Sequence, residues 1–121
     1  MSGEIIIQEA FKAKLSVHPP VLTSRNWTSN ITIPPSAGKE LDADWYYVET
    51  EKRENGKILR FIPSKFVSSF KKSNYGSYFR LQGLNVPAIP ANPVRGLELK
   101  SIIVQDMKTN FKILQMDWPD S

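Results

Sequence analysis

The chain has 121 residues, a formal net charge of +4, no cysteine and a single histidine, His18. The lack of cysteine excludes disulfides and thiolate chemistry, and one histidine excludes a mechanism or a metal site built on two imidazoles of one chain. No apolar run approaches the roughly 20 residues of a membrane span, and the start MSGEIIIQEA has acids where a signal peptide has a basic flank. Length and composition predict one domain, residues 1–121, in the cytoplasm and without membrane contact.

The first third of the chain contains two alternating segments. Residues 9–17 (EAFKAKLSV) and residues 27–33 (WTSNITI) alternate apolar and polar side chains, which predicts half-buried strands. A Pro-Pro pair follows each segment, at 19–20 and at 34–35. Because proline cannot donate to a strand ladder, each strand is expected to end there.

The most specific local signal is a hairpin. Residues 44–53 (DWYYVETEKR) and 57–62 (KILRFI) are rich in β-formers and are joined across Glu54-Asn55-Gly56. Asn-Gly between such runs is typical of a tight β-hairpin, since both residues tolerate positive φ.

The segment after the hairpin predicts a short helix over residues 64–72. Phe66, Val67 and Phe70 recur at helical spacing, Pro63 would stand next to the first turn, and two lysines would end the helix. The remaining segments predict three further strands, at 77–84, 94–105 and 110–116, the last two joined by a turn at 106–109.

This order predicts a mainly β fold: a small five-stranded Greek-key barrel of the OB type, with its short helix between strands 3 and 4. Its strands would be 9–17, the two arms of the hairpin 44–62, then 77–84 and 94–105. The segments 27–33 and 110–116 would be additions. Another β-barrel, or a sandwich with one helix, is the alternative.

The charge is unevenly distributed. Residues 40–54 carry a net charge of −4, whereas no acid lies between Glu54 and Glu98. One interpretation of this charge distribution is a polyanion partner. The other is a chance distribution of charge without functional meaning. The segment between those two glutamates carries seven cations: Lys57, Arg60, Lys65, Lys71, Lys72, Arg80 and Arg95.

Aromatic rings accompany these cations. Single-stranded nucleic acid is held by a positive surface that follows the phosphates and by rings that stack on the bases. On strand 77–84 the two-residue period places Tyr78, Arg80 and Gln82 on one face, opposite Phe79 and Leu81. For each ring the alternative is burial in the core, and for each cation it is a solvated surface.

The complete candidate set follows from this interpretation. For Trp45, both a position in the core and a position on the surface fit the sequence. Candidate phosphate contacts are Arg25, Lys57, Arg60, Lys65, Lys71, Lys72 and Arg80; candidate stacking rings are Trp27, Tyr47, Tyr75 and Tyr78; Gln82 would supply a hydrogen-bonding amide.

An enzymatic function is not indicated. Asp42 and Asp44 could present two carboxylates on one face, but solvated acids before a hairpin strand are the better interpretation. No glycine-rich phosphate loop or nucleophile signature is found. We expect no catalytic activity, no cofactor and no metal.

Length, lack of cysteine, strand order and the basic aromatic segment FKKSNYGSYFRLQ (70–82) together resemble the small OB-fold single-stranded DNA-binding proteins of bacteriophages, in particular those of lactococcal phages. The resemblance implies non-specific coating of single strands during phage DNA replication and recombination. It also implies self-association, and recombination or replication proteins as partners. Two other functions stay open: a β-rich protein-interaction module, an inhibitor or structural component that binds an acidic partner, and an OB-type barrel that binds oligosaccharide.

Overall fold

The computed structural model describes residues 4–19, 28–54, 56–84 and 94–119. In this part of the chain, eight strands form one closed antiparallel barrel, accompanied by one short helix. The elements are β1 (Glu4–His18), β2 (Thr28–Ile33), α1 (Pro35–Gly38), β3 (Trp45–Arg53), β4 (Gly56–Ser64), β5 (Phe70–Tyr75), β6 (Tyr78–Leu84), β7 (Val94–Asp106) and β8 (Lys112–Pro119). Around the barrel the strand order is β1-β2-β6-β5-β3-β4-β8-β7, and β7 pairs with β1 to close it.

The prediction of a mainly β fold built as a closed barrel is confirmed, but the expected number of five strands was wrong. The two segments expected to be additions, 27–33 and 110–116, correspond to β2 and β8, and each pairs with a neighbour on both sides. They are therefore integral to the ring. The eighth strand, β5, occupies the segment for which a helix was expected.

The predicted helix over residues 64–72 was wrong. Phe66 and Val67 are 79% and 78% exposed, whereas Phe70 is fully buried. Only the last of the three apolar residues thus faces a core, and the apparent helical spacing is accidental. Serines and an asparagine, which are weak helix formers, surround Phe70. Pairing with β6 satisfies the backbone of this segment instead.

The core fills the interior of the barrel, and three rings are among its largest fully buried side chains. Tyr46, Phe61 and Phe70 are fully buried. Phe61 and Phe70 meet edge to face, with centroids 5.2 Å apart and planes at 87°, a favourable geometry for aromatic pairs. The hydroxyl of Tyr46 accepts a hydrogen bond from the backbone N–H of Ala43 at 3.1 Å, so the buried phenol has a partner.

The helix α1 packs against β6. Ala37 and Leu41 are fully buried in the main core, to which Phe79 also packs. A Cβ added at Gly38 would come within 2.0 Å of the Phe79 ring, so α1 approaches β6 as closely as a glycine allows.

Three short turns join neighbouring strands. In the β3–β4 hairpin, Arg53 pairs with Gly56, which confirms the predicted hairpin, although Asn55 lies outside the described residues. In the β5–β6 hairpin, Tyr75 pairs with Tyr78, and Gly76 has φ 61°, as the first residue of a tight primed turn requires. The predicted turn between β7 and β8 is also present, with Asp106 accepting the Lys108 N–H at 3.0 Å.

Candidate nucleic-acid interface

The hairpin formed by β5 and β6 presents one continuous outward side. Residues directly opposite each other in an antiparallel pair project to the same side of the sheet. On the outward side of this hairpin three residues of β5 pair with three of β6. We call these six residues the outer β5–β6 face: Lys71 opposite Gln82, Ser73 opposite Arg80, and Tyr75 opposite Tyr78.

The two sides of β6 differ as the sequence predicted. Leu81 is fully buried and Phe79 packs against the core, whereas the Tyr78 ring is 53% exposed and Gln82 is exposed. Arg80 is half-buried between them. The alternation of strand 77–84 therefore identified which of its residues share a surface.

Arg80 and Tyr75 form a stacked pair on this face. The guanidinium carbon of Arg80 lies 3.7 Å from the centroid of the Tyr75 ring, and Tyr75 is 58% exposed. Nε of Arg80 is buried and has no hydrogen-bond partner among the described residues. Arg80 is thus oriented by the ring, since no carboxylate of the described residues pairs with it.

A second cation–ring pair lies where β3 meets β5. Trp45 of β3 pairs with Lys71, and Nζ of Lys71 lies 5.8 Å from the centroid of the Trp45 ring. Trp45, which the sequence left open between core and surface, is half-buried on the outward side. Tyr47 follows on the same side of β3 and is 39% exposed.

The loop after β4 adjoins the outer β5–β6 face through Trp45. Trp45 pairs with Ser64, whose hydroxyl donates to the Phe66 carbonyl at 3.0 Å and accepts the Phe66 N–H at 3.2 Å. This turn presents the Phe66 ring and the exposed Lys65 beside the end of the face. The predicted amphipathic helix would have placed Phe66 on its apolar side, whereas the structure leaves its ring exposed on the surface.

Lys72 does not belong to the outer β5–β6 face. Alternation places it on the side of Phe70, where its Nζ donates to the Leu41 carbonyl and lies 4.5 Å from the centroid of the Phe79 ring. Burial lowers the pKa of Lys72 below its usual range, because desolvation disfavours the ammonium. This lysine joins the α1–β3 connection to the barrel wall.

Arg60 also lies outside the outer β5–β6 face, on β4, which β3 separates from β5. Its Nη1 lies 2.8 Å from Oε1 of Glu51, and its Nε donates to Oε1 of Gln115 at 3.1 Å. The hydrogen bond from Arg60 lowers the pKa of the Glu51 carboxyl. Arg60 is therefore already paired with an acid.

Lys57 lies at the far end of the β3–β4 hairpin. It pairs with Trp118 of β8 and lines an open cleft of about 810 Å³ where β7 and β8 diverge. The cleft is lined by both signs of charge and by few exposed rings, so it lacks what a polyanion site needs. Its charged residues are Arg53, Glu54, Lys57, Glu98, Lys100 and Asp117.

Two candidates, Arg25 and Trp27, lie outside the described residues. Five of the twelve candidates form part of the outer β5–β6 face, and Tyr47 and Lys65 adjoin it through Trp45 and Ser64. The other three, Lys57, Arg60 and Lys72, lie at separate places.

Within the described ranges, no group of three or more His, Asp or Glu side chains converges as a metal site. None of the helical residues described form a segment long and apolar enough to cross a membrane. Comparisons of the chain with protein-family models, with curated proteins and with solved structures find no match.

Proposed function

We propose that this protein binds single-stranded DNA without sequence specificity and protects it during DNA replication and recombination. The observation that carries the proposal is the outer β5–β6 face, where exposed rings and unpaired cations share one surface and where no acid interrupts them. The resemblance to phage proteins extends the proposal to an OB-type origin of the barrel, to self-association and to partner proteins of replication and recombination.

The exposure of each side chain indicates its role in binding. Tyr78, and Phe66 at the far end, offer exposed rings to bases. Lys71 and Lys65 are exposed cations beside the rings, in positions to neutralise phosphates, and the Gln82 amide can hydrogen-bond a base or a sugar. Each stacked base contributes roughly 1 to 3 kcal/mol to the binding free energy. This contribution does not depend on base identity, because every base has a π-face.

The same features favour a single strand over a duplex. A ring can stack only on a base that is not already stacked within a helix, so the exposed tyrosines add affinity for unpaired strands alone. The cations contribute to both forms. Preference for single strands should therefore depend on the rings, and overall affinity on the rings and the cations together.

A fluorescence titration tests the proposal. Trp45 adjoins the face through its contact with Lys71, so oligothymidine should change the tryptophan emission, while a duplex of equal length should bind more weakly. Repeating the titration with a short oligothymidine at several salt concentrations should give a slope of about 1.4 in log K against log salt, since the two exposed lysines, Lys65 and Lys71, would each contribute about 0.7. A flat salt dependence would contradict the proposal.

Variants locate the surface. The double substitution Tyr78→Ala with Arg80→Ala should weaken oligothymidine binding by about tenfold or more, from the lost stacking alone. Lys108→Ala, an exposed cation in the β7–β8 turn, is the control and should bind as the wild type does. If the wild type fails to bind oligothymidine even at low salt, the protein-interaction module becomes the better function.

A further inference from the structure

The outer β5–β6 face continues beyond β6 onto two further strands. On the outward side, Thr32 of β2 lies opposite Arg80 of β6 and also opposite Lys14 of β1. Lys14, Thr32 and Arg80 therefore form one row across three strands. Neighbouring strands are about 4.8 Å apart, so the backbones of Lys14 and Arg80 are separated by about 10 Å.

The lysines of β1 form a cationic surface of their own. Lys12 lies directly opposite Lys100 of β7, and both are exposed. Like charges in directly opposed positions destabilise a sheet, and no ion pair among the described residues compensates either lysine. Lys14 is exposed and lies opposite an acid, Glu98 of β7, but the two make no ion pair.

Unsatisfied polar atoms lie between the two cationic surfaces. Oδ1 of Asn30 and Nε of Arg80 are buried without hydrogen-bond partners among the described residues, and these side chains belong to adjoining strands of the same outward side. Asn30 itself lies between Ser16 of β1 and Gln82 of β6. Among the described residues, the outward side of β2 between β6 and β1 consists of Thr28, Asn30 and Thr32 and so carries no large apolar side chain.

We propose that a single strand bound at the outer β5–β6 face continues across β2 to β1, where Lys12 and Lys14 contact its phosphates. This track rests on the proposed function and extends it, because it defines the path and the length of the bound strand. It also gives a reason for the opposed lysines Lys12 and Lys100, whose repulsion a phosphate between them would relieve.

The test uses oligothymidines of increasing length, from about 4 to about 16 nucleotides, the range that small single-strand-binding domains occupy. The double substitution Lys12→Ala with Lys14→Ala should leave the affinity for the shortest oligonucleotides unchanged. For the longest it should lower the affinity and reduce the salt slope by about 1.4, which corresponds to two phosphate contacts. The unfolding temperature should not fall, since the substitution removes the repulsion between Lys12 and Lys100.

A matched control, Lys52→Ala with Lys108→Ala, changes the net charge by the same amount at exposed positions away from the track. It should bind every length as the wild type does. The track is excluded if the control loses as much affinity as the β1 variant, if the salt slope for long oligonucleotides is unchanged, or if short and long oligonucleotides lose affinity equally. Absence of binding by the wild type would instead overturn the proposed function itself.

Discussion

Arg80 illustrates how a residue's neighbour changes its role. Sequence alone assigned Arg80 to phosphates and Tyr75 to bases, but the guanidinium covers one face of the Tyr75 ring at 3.7 Å. A guanidinium is planar and weakly hydrated, so the stacked pair can offer the outer face of Arg80 to a base. Tyr75 would then position Arg80, and the pair would act as one stacking surface.

Arg80→Lys tests this geometry. A lysine keeps the charge but has no planar group to stack, so we expect oligothymidine affinity to fall several-fold while the salt slope stays the same. Tyr75→Phe keeps the ring and should bind as the wild type does. Equal affinities of Arg80→Lys and the wild type would show that Arg80 acts through its charge alone.

The buried hydroxyl of Tyr46 makes the stability of the protein depend on pH in the alkaline range. Burial raises its pKa well above the usual value of about 10. Because the folded pKa is the higher one, the stabilisation is complete below about pH 10 and is lost as the pH rises beyond it, where the unfolded chain releases the proton more readily.

Tyr46→Phe should remove this contribution to the loss of stability at alkaline pH. At neutral pH the substitution should cost about 1 kcal/mol, because the Ala43 N–H loses its partner. In an absorbance titration of the native protein, the variant should ionise as many tyrosines as the wild type, since Tyr46 does not titrate until the barrel unfolds. A smaller titration amplitude in the variant would show that Tyr46 ionises in the folded state.

At the scale of elements, alternation was sufficient where a strand has one buried side, as in residues 9–17 and 77–84. It failed for β5, because two exposed apolar residues, Phe66 and Val67, precede the one that is buried. In the strand itself Lys72 occupies the inward side, so its pattern of apolar and polar residues does not alternate. Pairing with β6 decides this segment, and no local pattern contains that information.

The β5–β6 hairpin depends on a close approach at Gly83. A Cβ added there would lie 2.3 Å from the Ser69 carbonyl oxygen and 2.6 Å from Cδ2 of Phe70. The backbone oxygen cannot move aside without shifting the start of β5, so Gly83→Ala should destabilise the barrel by about 1 to 3 kcal/mol. Denaturant unfolding measures this, with Ser73→Ala on the exposed side of the hairpin as the control. A stability equal to that of the control would mean that the start of β5 shifts freely.

At the scale of the whole molecule, the composition of the outer surface changes around the barrel. The outward side of β1, β2, β6 and β5 carries cations and rings, whereas that of β4, β8 and β7 includes the apolar cluster of Ile62, Val104 and Ile113. The sequence revealed a basic segment but not this division, because residues close in the chain diverge around the ring. Lys57 and Arg60 lie away from Arg80, while Lys14, far from it in sequence, lies in its row.

In the described barrel, β3 and β5 have fewer paired residues than any other two neighbouring strands. Only Trp45 with Lys71 and Tyr46 with Phe70 join these strands, supplemented by one hydrogen bond from the Lys72 N–H to the Asp44 carbonyl at 2.8 Å. Local opening of the barrel should therefore cost the least free energy between β3 and β5. A strand of DNA that contacts Trp45 of β3 and the stacked pair of Arg80 and Tyr75 on the β5–β6 hairpin would span this junction and bind only the closed barrel, so binding would shift the equilibrium away from the locally opened form.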